Sequence, residues 1–204
     1  MSEFTYEKET TGEALETFEW DNIWFEQTNL KNAGRVLYIG DSISCGIRNT
    51  ATELSCGKYL FDGVGTSKGI DNPYFKDTIS LFAKQEKMRE IVLFNNGLHG
   101  FHLSVGEYEK HYEDMINFLL TEFPDTKIAV VLTTYIKQEN ERLEIVKARN
   151  EKAKAIAKKH NLPVIDLYSV SEVYADELCA DGVHMTKNGY EKLAEAVLKR
   201  IDEI

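Results

Sequence analysis

Apolar residues occur along this chain in short, mostly continuous runs rather than in strict alternation with polar residues. Continuous runs of Val, Ile and Leu are typical of strands buried on both faces, as in a parallel sheet. The runs predict five strands, at residues 35–39, 58–61, 90–94, 127–132 and 163–167.

Between these runs, apolar residues recur every three or four positions, which indicates amphipathic helices. The helices are predicted at residues 44–54, 74–87, 105–122, 140–159 and 186–204. Strand alternating with helix predicts an α/β protein, a three-layer α/β/α sandwich around a five-stranded parallel sheet with right-handed crossovers.

The chain shows no internal repeat and no linker, so residues 35–204 are expected to form one domain. Residues 1–34 are less regular and carry an apolar patch, Trp20, Ile23, Trp24 and Phe25. We interpret them as an arm that packs on the domain, and the alternative is that a tryptophan such as Trp24 lines a substrate pocket.

Charge and composition exclude some classes of partner. The formal net charge is −10, which disfavours nucleic acid and an anionic membrane surface. No apolar run approaches the roughly 18 residues of a membrane span, and the N-terminus lacks the pattern of a secretory signal. Three cysteines, an odd number without metal-like spacing, suggest free thiols and a cytoplasmic location. Oligomeric state is left open.

A serine stands at a predicted junction between strand and helix. Gly40-Asp41-Ser42 follows the first strand, and the positive end of the next helix would favour an alkoxide at Ser42. The backbone N–H groups there suit an oxyanion. The alternative is a serine that only caps the helix.

An aspartate and a histidine lie three residues apart near the other end of the chain, in Asp181-Gly182-Val183-His184. A carboxylate at this spacing can fold back on the imidazole, fix its tautomer and stabilise the imidazolium. Ser42, His184 and Asp181 are thus candidates for a catalytic triad. The alternative for His184 is a surface histidine before a helix.

Together the two segments resemble the SGNH, or GDSL, hydrolase superfamily. Its first block is similar to Ile39-Gly40-Asp41-Ser42-Ile43-Ser44, and its last block, Asp-x-x-His, is matched by Asp181-Gly182-Val183-His184. The resemblance covers residues 35–204 and implies a flavodoxin-like SGNH hydrolase fold. It implies that Ser42 is the nucleophile, His184 the base and Asp181 its orienting partner, with no cofactor and no metal.

The oxyanion hole departs from the family pattern. Besides the Ser42 N–H, the resemblance implies a glycine N–H after the second strand, for which Gly65 is the best match and Gly63 the second. The family's Gly-x-Asn-Asp block is replaced by Asn-Asn-Gly-Leu-His-Gly at residues 95–100, a variant of a subset of the superfamily. Either Asn96 or His99 would then supply the third donor.

The expected function is hydrolysis of small acyl esters, often acetyl groups on carbohydrates. The same acyl-enzyme would serve an acyltransferase, and a non-catalytic carbohydrate-binding relic of the fold is a further alternative. Arg48, and Tyr135 and Lys137 at the carboxyl end of the fourth strand, are expected to shape the pocket, since that edge of an open α/β sheet lines the ligand crevice.

Overall fold

A computed structural model describes residues 14–15, 18–30, 32–85, 89–137 and 141–204. Over these ranges, six strands form one sheet: β1 Asp21–Trp24, β2 Gly34–Gly40, β3 Tyr59–Thr66, β4 Ile91–Phe94, β5 Lys127–Val131 and β6 Val164–Ile165. In the same ranges the helices are α1 Ser42–Leu54, α2 Phe75–Ala83, α3 Val105–Glu122, α4 Glu141–Lys159, α5 Leu167–Val173 and α6 Lys187–Ile201, with a 3₁₀ turn at Ala175–Glu177.

The strands lie in the order β1-β3-β2-β4-β5-β6. The five from β2 to β6 pair in parallel, and β1 pairs antiparallel with the outer edge of β3. The parallel strands therefore have the flavodoxin-like order, in which β2 and β4 flank the point where the winding reverses.

Side chains on β2 alternate between two cores. Val36 and Tyr38 face a core shared with α1 and α6, whereas Leu37 and Ile39 face a core shared with α2, α3 and α4. The helices thus cover both faces of the sheet, as predicted, because a parallel strand buries both its faces. No helix among the described residues is long and apolar enough to cross a membrane.

Helix α6, from the end of the chain, packs on α1, from near its start. Ile43 and Ile47 of α1 share one core with Leu193 and Val197 of α6. The helices approach so closely at Gly46 that a Cβ there would lie 2.3 Å from the Tyr190 ring. This contact brings together the segment that contains Ser42 and the segment that contains Asp181 and His184.

Four differences from the predicted elements have physical reasons. Strand β1 was not predicted because it is mostly exposed and short. Strand β3 runs on to Thr66 instead of ending near Phe61, because its polar residues and glycines are flanked by strands on both sides. Strand β6 ends before Leu167, where α5, also not predicted, begins. The predicted helix ends at residues 87 and 140, and much of the proposed arm, lie outside the described residues.

Candidate active site

Ser42 is the first residue of α1, directly after β2. The helix is capped by Asp41, whose side chain accepts a hydrogen bond of 2.9 Å from the Ile43 N–H. Ser42 is therefore not the residue that caps the helix, and that interpretation of it is wrong. A glycine is required at position 40, because a Cβ there would lie 2.8 Å from the Ser44 Cβ.

The structure brings Ser42, His184 and Asp181 together in one chain of contacts. The Ser42 Oγ lies 2.9 Å from the His184 Nε2, across 142 residues of sequence. The His184 Nδ1 lies 2.9 Å from the Asp181 Oδ2. With Nδ1–H donated to the carboxylate, Nε2 is left as the acceptor for the serine hydroxyl. This is the arrangement in which an imidazole can remove a proton from serine.

Asp181 is held by the backbone of its own loop. Its Oδ1 accepts hydrogen bonds from the N–H groups of Val183 (2.8 Å) and His184 (2.9 Å). Burial raises the pKa of Asp181, but these bonds and the His184 ring outweigh burial and hold the pKa below its ordinary value. The carboxylate therefore stays ionised at neutral pH, as stabilising an imidazolium requires.

The loop before α6 is fastened to the loop after β5. The Lys137 N–H donates to the Gly182 carbonyl at 2.7 Å. Gly182 has a φ of +72°, and a Cβ there would lie 2.5 Å from the Lys137 carbonyl oxygen. Glycine is thus required between Asp181 and His184. Lys137 holds this loop through its backbone N–H, while its side chain is exposed.

Residues 95–100 form the loop after β4, which we call the third-block loop, and its two candidate donors differ in environment. His99 is buried and lines the same cavity as Ser42. The Asn96 amide instead donates to the Lys68 carbonyl at 2.8 Å, and its Oδ1 is buried without a partner among the described residues. His99 therefore lines the same cavity as the candidate nucleophile, whereas the Asn96 side chain ties the third-block loop to the chain after β3.

A fully buried arginine of α4 holds this loop. Arg149 Nη1 donates to the carbonyls of Gly97 (3.0 Å) and His99 (2.8 Å), and Nη2 donates to that of Gly100 (2.6 Å). Burial lowers the pKa of Arg149 from its ordinary value, which measures how strongly the guanidinium is desolvated. One side chain thus donates to three carbonyls of this loop, and the Gly100 carbonyl also accepts the Leu103 N–H at 3.1 Å.

Asp41 is a buried carboxyl beside the site. Burial raises its pKa, while the charges of His99 and His184 and the neighbouring N–H groups oppose that rise. Its Oδ2 is buried and has no partner among the described residues. Asp41 is therefore harder to ionise than an exposed carboxyl, and when ionised it interacts favourably with both imidazoles.

Gly65 lies inside β3, between β1 and β2. The Ser67 N–H donates to the Trp20 carbonyl, so the alternation of an antiparallel ladder directs the Gly65 N–H, two residues earlier, toward Asn22. A Cβ on Gly65 would lie 2.2 Å from the Cys45 Sγ. Gly63, the second candidate, is packed against Arg48 of α1 in a similar way. Close packing of α1 explains both glycines.

The cavity beside Ser42 has a volume of about 310 Å³, including its open mouth. Among the described residues it is lined by Ser42, Leu98, His99, Phe101, Ile136, Arg142 and Val183. Four of these seven residues are apolar, so the wall next to Ser42 is largely apolar.

The four residues expected to shape the pocket do not line this cavity. Arg48 bonds the Asn22 Oδ1 at 2.6 Å and lies 5.9 Å from the centre of the Trp24 ring, which is 46% exposed. The Tyr135 ring meets that of Tyr168 edge to face at 6.0 Å. Lys137 lines a separate surface depression. Between Tyr135 and Lys137, in the loop after β5, Ile136 lines the cavity beside Ser42.

Most lining residues that the sequence did not reveal lie beside motif residues. Leu98 and Phe101 flank His99, and Val183 precedes His184. Proximity to a motif was a usable signal for these three. Arg142 stands at the start of a charged helix, and no pattern in the sequence distinguishes it.

The chain belongs to the GDSL-like lipase/acylhydrolase family, whose model matches residues 95–197. This family makes the protein a carboxylic ester hydrolase. Comparison with curated proteins gives no sequence match.

Several solved structures share the fold. The lipase/acylhydrolase from Enterococcus faecalis is 21% identical, with a TM-score of 0.66 over 83% of this chain and 96% of that one. The acetyl xylan esterase AlAXEase is 18% identical, with a TM-score of 0.61 over 81% and 98% of the two chains. The C-terminal catalytic domain of Streptococcus pneumoniae peptidoglycan O-acetyltransferase A is 16% identical, with a TM-score of 0.63 over 84% and 94%.

Proposed function

We propose that the protein is a serine esterase that hydrolyses small acyl esters through a triad of Ser42, His184 and Asp181. The observation that carries the proposal is the continuous contact from Asp181 through both nitrogens of His184 to the Ser42 Oγ, at 2.9 Å in each step. A non-catalytic role for the fold is disfavoured by this contact, since a binding relic has no need of an aligned base.

In the first half-reaction, Ser42 attacks the ester carbonyl as its proton passes to the His184 Nε2. The imidazolium is stabilised by Asp181 and then protonates the leaving alcohol, which leaves an acyl group on Ser42. In the second half-reaction, His184 takes a proton from the water that attacks the acyl-enzyme, and it then returns a proton to the Ser42 Oγ as the carboxylic acid leaves. No cofactor or metal takes part in these steps.

The oxyanion of each tetrahedral intermediate needs donors on the side of Ser42 away from His184. We assign two: the Ser42 N–H, because the first N–H groups of a helix have no intrahelical partner, and the ring of His99. The buried position of His99 in the cavity wall supports this choice over Asn96. The Gly65 N–H, directed toward Asn22, is not part of the proposal.

Acetyl esters of carbohydrates are the substrates we favour. Two structural neighbours are named for acetyl chemistry, an acetyl xylan esterase and a peptidoglycan O-acetyltransferase. The small apolar wall of Leu98, Ile136 and Val183 suits a short acyl group. The second neighbour also favours acyl transfer as an alternative, in which a sugar hydroxyl replaces water. Turnover that rises when sugar acceptors are added would support transfer.

The nucleophile is tested by the Ser42→Ala variant with p-nitrophenyl acetate. We expect kcat to fall by up to the order of 10⁶-fold, since loss of a serine nucleophile disables the whole triad, while the melting temperature stays unchanged. The matched control is Ser44→Ala, two residues along α1, whose Oγ donates to the Asp41 carbonyl. Hydrolysis by Ser42→Ala at the rate of the Ser44→Ala control would overturn the proposal.

A further inference from the structure

The cavity beside Ser42 carries a permanent positive charge in its wall. Of the described residues that line it, Arg142 is the one with a side chain charged at every physiological pH. Its neighbours in the wall include Leu98, Ile136 and Val183, which offer no hydrogen bond to a substrate. Within this apolar surround a charge interacts more strongly than it would in water.

The Phe101 ring sets the position of Arg142. The Arg142 Cζ lies 4.8 Å from the centre of this ring, and the Arg149 Cζ lies 4.9 Å from the same centre. Arg149 is anchored by the carbonyls of the third-block loop, so the ring it contacts is fixed as well. The Arg142 guanidinium therefore rests on a rigid aromatic surface, which lowers the entropy cost of using it to bind a ligand.

The positive charge of Arg142 stands in a surrounding that is otherwise mainly negative. The chain carries a net charge of −10, and the exposed residues Glu141 and Glu144 stand beside Arg142 on α4. Asp181 lies beyond His184 and is engaged by it. The net charge does not draw anions to this protein at long range, so a preference for an anionic ester would arise from short-range contacts in the cavity, where Arg142 is the permanent cation among the described lining residues.

We propose that Arg142 selects esters that carry a carboxylate close to the scissile bond. This inference rests on the proposed esterase function and names the substrate class of the same site. A guanidinium pairs with a carboxylate through two parallel hydrogen bonds, which a neutral ester of the same shape cannot form. The carboxylate belongs either to the acyl half, as in a half-ester of a dicarboxylic acid, or to the alcohol half, as in the ester of a hydroxy acid.

The experiment compares charged and neutral esters in two matched pairs. The acyl arm uses p-nitrophenyl hemisuccinate against the p-nitrophenyl ester of monomethyl succinate. The alcohol arm uses 3-acetoxybenzoate against its methyl ester. Each pair is measured as a ratio of kcat/KM for the wild type, Arg142→Gln, Arg142→Lys and the control Lys147→Gln. Lys147 lies on α4, is exposed and bonds Glu144, so its loss removes the same charge away from the cavity.

In one arm we expect the ratio of charged to neutral ester to fall about tenfold in Arg142→Gln, the size of one lost charged hydrogen bond. Arg142→Lys should recover part of the ratio, and Lys147→Gln should leave it unchanged. The arm that responds identifies the half of the ester that carries the anion. The inference would be overturned if, in both arms, Arg142→Gln and the wild type gave the same ratio of kcat/KM for the charged and neutral esters.

Failure of this inference is distinct from failure of the esterase proposal. The products, succinate and 3-hydroxybenzoate, are also titrated into the Ser42→Ala variant with and without Arg142→Gln. Binding that Arg142→Gln weakens supports the anion site even in the absence of turnover. Binding unaffected by Arg142→Gln contradicts it, whatever the outcome for Ser42.

Discussion

At the scale of single residues, the site depends on two imidazoles with different tasks. His184 is aligned by Asp181 and contacts the nucleophile. His99 has its backbone carbonyl held by Arg149 and its ring at 6.4 Å, edge to face, from that of Trp20. In the proposed mechanism, the His184 ring exchanges a proton with Ser42, and the His99 ring, in the cavity wall, donates to the oxyanion.

Removal of the His99 ring tests its assignment as oxyanion donor. His99→Ala should lower kcat on the order of 10²–10³-fold, because a donor aimed at the developing charge acts mainly in the transition state. KM should change less. The measurement is steady-state hydrolysis of p-nitrophenyl acetate.

Asn96→Ala provides the comparison, since the Asn96 amide bonds the Lys68 carbonyl. Asn96→Ala should lower the free energy of unfolding, and it should lower kcat less than His99→Ala does. The opposite result, a larger loss of kcat in Asn96→Ala than in His99→Ala, would move the donor from His99 to Asn96.

The sequence was enough to propose the triad of Ser42, His184 and Asp181, because these residues lie in two short motifs. It could not choose between Asn96 and His99, because both amide and imidazole can donate and only the fold decides which one faces Ser42. Arg142 was out of reach for the same reason: its importance comes from Phe101, which is distant in sequence and adjacent in space.

At the scale of elements, α4 does more than cover the sheet. Its buried side contributes Arg149 to the third-block loop and Asn150 to the backbone after β5, where Asn150 bonds both the N–H and the carbonyl of Thr133 at 2.9 Å. Two loops that border the cavity are thus fixed by adjacent residues of one helix. The hydrophobic periodicity of the sequence predicts that Arg149 and Asn150 lie in a helix, but it does not predict which loops their side chains contact.

Arg149→Met should reduce the free energy of unfolding by about 2–4 kcal/mol, because it removes three buried hydrogen bonds from a charged donor to the third-block loop. Arg149→Lys keeps the charge but not the planar geometry of the guanidinium, so its free energy of unfolding should lie between those of Arg149→Met and the wild type. Urea denaturation gives the free energies.

The control for this helix is Lys152→Met, which removes a partly exposed ion pair with Glu109 and should cost less than about 1 kcal/mol. A loss in Arg149→Met no greater than in Lys152→Met would show that the loop holds its shape unaided.

At the scale of the whole molecule, the candidate site and a buried ion cluster lie toward opposite ends of the strands. Ser42 and the third-block loop follow the carboxyl ends of β2 and β4. Toward the other end of the strands, Asp62 is fully buried and bonds Arg35 at 2.5 and 3.1 Å, with the Arg89 Nε at 3.7 Å. This cluster joins β2, β3 and the start of β4 away from the candidate site.

Asp62→Asn should therefore destabilise the protein by about 3–5 kcal/mol, since it leaves buried arginine charge without its counterion. The kcat of the folded fraction should remain that of the wild type. Chemical denaturation and active-site titration measure the two quantities.

Asp202→Asn, which removes an exposed contact to Lys58, is the matched control and should cost less than about 1 kcal/mol. Equal losses in the two variants would assign no special weight to the buried cluster.

The parallel sheet and its order of helices were predictable because strands buried on both faces leave continuous apolar runs. Strand β1 was not, because a four-residue edge strand owes its form to pairing with β3 rather than to its own pattern. The far end of β3 was missed because Asp62 and two glycines have low strand propensity, which partners on both sides override.

The junction of α1 and α6 has a consequence for how activity arises during synthesis. Ser42 leaves the ribosome 142 residues before His184, so a growing chain holds a nucleophile long before it holds a base. A chain that stops before α6 has folded onto α1 cannot deprotonate its serine, however much of its sheet has formed. If the proposed triad is correct, turnover therefore requires α6 to pack on α1, and on refolding activity returns only after this contact has formed.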